Sequence, residues 1–152
     1  MTGGDLRRVF SDLGYVHAQL AVAVNRRLRT EFGLSAVLLE VMLVVGDTPG
    51  CRVHDVAAEL GLSAGGVSKL IDRLEATGLC RRLPNPSDRR SSLVELTDVG
   101  AWTSAGASVA VDEELDAVLP GSLSAGQISE LAVTLRALRT SGPGPARPVD
   151  GP

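Results

Sequence analysis

Residues 53–96 constrain this chain more than any other segment. Val53, Val56, Ala57 and Leu60 repeat at i, i+3, i+4 and i+7, and Gly61 comes next. That spacing predicts a short helix over 53–60, with Gly61 as its stop and Leu62 plugging the turn. Ser63 is placed to cap the next helix, in which Val67, Leu70, Ile71 and Leu74 repeat the same spacing before Gly78 closes it. Two short helices joined by about three residues containing glycine form a helix-turn-helix pattern. The pattern alone fits any helical hairpin. The next eighteen positions narrow it: "LCRRL" (79–83) and "LVEL" (93–96) read as two strands around the turn-rich loop "PNPSDRRSS". A helix-turn-helix leading directly into a hairpin predicts a winged helix, with "CRV" (51–53) as a candidate third strand.

The flanks are helical. Leu6, Val9, Phe10, Leu13, Val16, Leu20, Val24 and Leu28 are spaced by threes and fours, which predicts one long amphipathic helix over 5–32 ended by Gly33. Ser35 is placed to cap a second helix, roughly 36–46, that is apolar nearly all round and must therefore be buried. Thr97 is placed to cap a helix over 98–119, with Asp98 at its positive end. "PGSLSAGQ" (120–127) interrupts, and Ser124 begins a last helix with Ile128, Leu131, Leu135 and Leu138 on one face. The tail 141–152 has four Pro and three Gly, a composition expected to be disordered.

The fold class expected is therefore mainly α with a small antiparallel β-wing, in one domain of modest core. It divides into an N-terminal dimerisation helix (1–34), a winged helix-turn-helix lobe (35–100), C-terminal dimerisation helices (101–140) and the tail (141–152). The dimer is implied by geometry: a helix over 5–32 is too long for so small a domain to bury, and the last helix carries an apolar stripe that needs a partner. No apolar run reaches the ~20 residues of a membrane span, and "MTGGDLRR" lacks the layout of a signal peptide. Cys51 and Cys80 make neither a disulfide framework nor, with two scattered histidines, a metal set. A cytoplasmic protein without metal or cofactor is expected.

Net charge is -3, but the average hides a pattern. Residues 68–92 carry six basic against three acidic residues, whereas 97–140 carry two against six. Local fields decide partners more than the total does. The densest positive charge, Arg89 and Arg90, sits on the predicted loop tip. The second helix of the pair would present Ala64, Gly65, Ser68, Lys69 and Asp72 outward once its apolar residues point in. Its first turn, Ser63 to Gly66, is small, although glycine costs a helix roughly 1 kcal/mol relative to alanine. Small residues there let a helix N-terminus enter a DNA major groove and offer its free N–H groups to phosphate. Ser68 and Lys69 would then reach base edges or backbone, Arg73 would contact phosphate or brace the domain, and Asp72 would need an arginine partner. A wing beside such a helix points toward the minor groove, whose negative potential attracts arginine. Asp88 would fold the tip, Arg90 insert, and Arg89 hold phosphate.

These residues resemble the MarR family of bacterial winged helix-turn-helix transcriptional regulators. The likeness is carried by Asp72-Arg73-Leu74-Glu75, Gly78-Leu79, the wing motif Asp88-Arg89-Arg90, the strand Leu93–Leu96 and Leu96-Thr97-Asp98-Val99-Gly100, and it covers about residues 53–100. It implies a homodimer built from the first helix and the last two. It also implies a pseudo-palindromic site on double-stranded DNA, and commonly repression. Many members release DNA on binding a small aromatic or phenolic effector between the dimer helices and the DNA-binding lobe. Tyr15, His17, Met42 and Trp102 are the candidate lining residues here, although each also reads as an ordinary packing or surface residue. Some members sense oxidants through a cysteine in the first helix, and this chain has none there.

Two other classes fit less well. "GLSAGGVSK" (61–69) has suggestive glycines, but a phosphate-binding loop needs Gly-Lys-Ser/Thr after a strand, and Gly66 precedes Val67-Ser68 with a helix before it. No nucleophile–base set is visible, so no enzyme is expected. The alternative within the fold is a winged-helix protein-interaction module without DNA binding.

Overall fold

The structure is a computed structural model, and it describes residues 3–119 and 123–141. Among the described residues, six helices and one hairpin run in the order α1 (Gly3–Phe32), α2 (Ala36–Asp47), α3 (Val53–Leu60), α4 (Ala64–Ala76), β1 (Cys80–Pro84), β2 (Ser92–Leu96), α5 (Asp98–Val118) and α6 (Ala125–Ser141). The predicted helices and the two hairpin strands are all present, in the predicted order. The expectation for the tail lies outside the described residues from 142 onward. No helix among the described residues is long and apolar enough to cross a membrane.

Local chemistry sets the boundaries. Ser63 Oγ accepts from the Gly66 N–H at 3.1 Å and starts α4. Thr97 Oγ1 accepts from the Gly100 N–H at 3.0 Å and starts α5. Gly61 and Gly78, at φ 65 and 75, take the left-handed conformation that ends α3 and α4. Three expectations need correction. Ser35 precedes α2, but its side chain makes no cap bond, and its hydroxyl oxygen is buried without a partner. Asn25 on α1 does the capping instead, with Oδ1 accepting from the Ala36 N–H at 2.9 Å. Leu62 does not plug the turn; it stays 39% exposed. The "CRV" segment is not a strand, because Val53 already belongs to α3; only a single bridge, Arg52 to Leu93, and a 2.7 Å bond from the Val94 N–H to the Cys51 carbonyl remain.

The core lies where α2, α3, α4 and the base of the hairpin meet. Val41, Met42, Val56, Val67, Ile71, Leu74, Val94 and both cysteines are fully or almost fully enclosed. The hairpin is antiparallel, with Cys80 opposite Leu96, Arg82 opposite Val94 and Pro84 opposite Ser92. From α1 only the C-terminal half joins this core, through Val24 and Leu28, while α5 lies against it through Ala107. Arg27 ties α1 to α5, pairing with Glu113 at 2.6 Å, and also pairs with Glu31 on its own helix at 3.0 Å. Such exposed pairs add little stability. Residues 4–19 of α1 and every described residue of α6 are exposed.

Candidate nucleic-acid interface

The first three residues of α4 and the wing tip are the two parts to assemble. On α4, Val67, Ile71 and Leu74 are buried and fix the helix rotation. At about 100° per residue, the opposite side then divides into two stripes. Gly65, Lys69 and Arg73 form the outermost one, and all three are exposed. Ser68, Asp72 and Glu75 form the second, at i, i+4 and i+7.

That second stripe is occupied by Arg82 of β1. Its Nη2 lies 2.7 Å from Asp72 Oδ1 and 3.3 Å from both Ser68 Oγ and the Ser68 carbonyl. Its Nη1 lies 2.6 Å from Glu75 Oε2, and its backbone N–H donates to Glu75 Oε1 at 3.1 Å. Burial works against the guanidinium charge, but the bonds to Asp72 and Glu75 prevail and raise its pKa above the ordinary arginine value. Asp72 therefore has the arginine partner its position demands. Ser68, expected to face outward freely, accepts a bond from Arg82 through its hydroxyl oxygen; its own hydrogen is left to donate.

The wing tip is built by its own polar side chains. Asn85 is buried and spans the loop, with Nδ2 donating to Ser91 Oγ at 2.9 Å and Oδ1 accepting from the Ser87 N–H at 3.0 Å. Asp88 Oδ1 accepts from the Arg90 N–H at 2.9 Å, and its carbonyl accepts from the Ser91 N–H at 3.1 Å. Asp88 thus folds the tip through a backbone amide, as its position suggested. Arg89 and Arg90 are exposed. Among the described residues, neither they nor Lys69 and Arg73 have a carboxylate partner, whereas Arg81 pairs with Glu95 across the hairpin and Arg82 with Asp72 and Glu75.

Sequence reasoning missed Arg82, Glu75 and Asn85. The signal for Arg82 was available: Asp72 and Glu75 share a helix face and need a cation, and a strand begins four residues after the helix ends. Which of the neighbouring arginines supplies it depends on strand register, which local sequence does not determine.

The candidate effector residues are not gathered in the single chain. Met42 is fully buried in the core, while Tyr15 and Trp102 are 69% and 78% exposed and His17 is exposed on α1. The larger cavities lie elsewhere. One of about 550 Å³ runs between α2 and α3, lined by Leu43, Val44, Asp47, Asp55 and Glu59 among others. Another, of about 540 Å³, runs along α1 past Asn25, Arg26 and Arg29. Among the described residues, no three of His, Cys, Asp and Glu gather as a metal set. Burial pushes the Cys80 thiol up to about 11 and also raises that of Cys51, so neither is poised as a thiolate.

Comparison with known proteins agrees with this geometry. Residues 32–91 match the sequence model of the MarR family. The Multiple antibiotic resistance protein MarR of Escherichia coli (strain K12) is 34% identical over 77 residues, which cover 51% of this chain and 54% of that protein. The chain thus spans about half the length of the curated relatives it matches. Among solved structures, the transcriptional repressor CouR bound to a 23-mer DNA duplex is 26% identical, covers 91% of this chain and 97% of that one, and superposes with a TM-score of 0.80. CouR from Rhodococcus jostii RHA1 bound to p-coumaroyl-CoA is 28% identical, covers 83% and 87%, and has a TM-score of 0.73. With its helix-turn-helix and its wing, the segment 32–91 is similar to the MarR family.

Proposed function

We propose that the protein is a DNA-binding transcriptional regulator, not an enzyme, and that it works as a homodimer on a pseudo-palindromic operator. The observation that carries this reading is a division of charge. The cations of the outer α4 stripe and of the wing tip, Lys69, Arg73, Arg89 and Arg90, are exposed without carboxylate partners among the described residues, while Asp72 and Glu75 beside them are neutralised. Such a surface favours a polyanion, and net charge elsewhere does not cancel it. In this reading α4 enters the major groove, with Ser63, Ala64 and Gly65 at the approach and Ser68 and Lys69 reaching bases or backbone. Arg90 enters the minor groove, and Arg89 rests on phosphate. The likeness to CouR, solved with a DNA duplex, supports it.

The dimer rests on uncovered apolar surface. Leu6, Val9, Phe10, Leu13 and Val16 on α1, and Ile128, Leu131, Leu135 and Leu138 on α6, are 41–80% exposed. Stripes of that size mark an interface. A second copy would cover both and place two recognition helices about one DNA turn apart. Repression is the mode we assign. A small aromatic or phenolic effector is the release signal, supported by CouR with p-coumaroyl-CoA. Tyr15, His17 and Trp102 are then exposed groups that the second copy can enclose, whereas Met42 can contribute only if the core opens. The test is selection of bound fragments from genomic DNA. Recovery of a sequence with two inverted half-sites supports the reading, and recovery of no enriched sequence overturns it.

A further inference from the structure

The contacts of Arg82 bear on DNA binding. Asp72 and Glu75 lie next to the stripe assigned to DNA, and their side chains remain 61% and 41% exposed. Bare carboxylates there would face phosphate and repel it. Lys69 and Arg73 on the same helix do not neutralise them, because among the described residues both carboxylates pair with Arg82. Arg82 is held from the other side as well. It sits in β1 opposite Val94, a buried residue, so the hairpin fixes where its guanidinium stands. One side chain therefore joins the base of the wing to residues 68, 72 and 75 of α4.

We propose that Arg82 is a positioning residue for DNA recognition: it neutralises the two carboxylates that border the reading face of α4 and locks that helix to the wing, without touching DNA itself. The inference rests on the proposed DNA-binding function. Its fork geometry matters, because separate nitrogens serve Glu75 and Asp72. The arginine spends its charge inside the protein, so contact with DNA falls to Lys69, Arg73, Arg89 and Arg90.

The test uses the full chain and a labelled duplex of about 30 base pairs, roughly three helical turns, selected from random-sequence DNA with the wild-type protein. Arg82→Gln is expected to weaken binding by about tenfold or more, because it exposes two carboxylates to the duplex. Adding Asp72→Asn and Glu75→Gln to that variant should restore most of the affinity. A contact residue behaves differently: loss of affinity would persist in the triple variant, and the salt dependence would fall by about one unit of slope. That outcome overturns the proposal, as does unchanged affinity in Arg82→Gln. Thermal unfolding of each variant without DNA checks the fold. If Arg82→Gln does not fold, Asp72→Asn/Glu75→Gln with Arg82 intact decides. Binding at least as tight as wild type supports the neutralising role, and weaker binding contradicts it. If the wild type selects no duplex at all, the DNA-binding function itself falls and takes the inference with it.

Discussion

A Cβ at Gly100 would stand 1.9 Å from the carbonyl oxygen of Leu79. The first turn of α5 is pressed against the turn that leaves α4. Two bonds hold it there: the Thr97 N–H donates to the Leu79 carbonyl at 3.0 Å, and Thr97 Oγ1 donates to the Gly78 carbonyl at 2.6 Å. This contact seats the winged-helix lobe on the helix that leads to the proposed dimer region. Because the blocking atom is backbone, no side chain can swing aside. Gly100→Ala is expected to destabilise the fold by roughly 1–3 kcal/mol or more. Thermal unfolding should show the midpoint falling by several degrees; an unchanged midpoint would contradict the close approach.

The uncovered stripes on α1 and α6 give a second expectation. Light scattering at micromolar concentration should report twice the chain mass. Leu131→Asp places a charge on α6, where no described residue is buried, and so should leave the winged-helix lobe folded. It is expected to shift the mass toward a single chain. A wild-type monomer, or a variant that stays fully dimeric, would contradict the assignment of this face.

Lys69 is exposed on α4 without a carboxylate partner among the described residues. If it meets phosphate, Lys69→Ala should reduce the slope of log affinity against log salt by about one, with a similar loss for every DNA sequence. An unaltered slope removes that role.

The cysteines set a fourth expectation. Burial raises the Cys80 thiol from its ordinary value of 9.0 to about 11. The native fold thus holds this proton more tightly than the unfolded chain does. The resulting stabilisation is present in full below pH 9 and fades as the pH rises toward 11. Thiol reagents should react slowly with the native protein at neutral pH and rapidly after unfolding, and peroxide should leave DNA binding intact. Fast native reaction would show that the pocket opens.

The helix-turn-helix and wing were legible because period and punctuation agree there. Val67, Ile71 and Leu74 fix one face, Ser63 and Gly61 fix one end, and each acts as its chemistry suggested. Two kinds of feature escaped. Asn25 caps α2 across eleven residues, and Arg82 reaches Ser68 across fourteen; such bonds depend on how elements are placed in space, not on local pattern. Leu62 differs from its expected place because hydrophobicity alone does not say whether a turn faces the core. At the site, the wing arginines stood out as charge on a loop tip. The split of the outer face of α4 did not, since it depends on which strand residue faces the helix.

The central claim is that Arg90 and its neighbour lie on the wing to read DNA. The most direct measurement is a salt-controlled gel shift on the DNA upstream of the protein's own gene, with wild type beside Arg90→Ala. Arg90 is exposed at the tip, so the variant should keep its fold, as circular dichroism can verify. The expected result is a specific wild-type shift and about a tenfold or greater loss of affinity in the variant. Equal shifts by the two proteins would contradict the wing role, and no wild-type shift at low or moderate salt would contradict the reading of this surface as a DNA interface at that site.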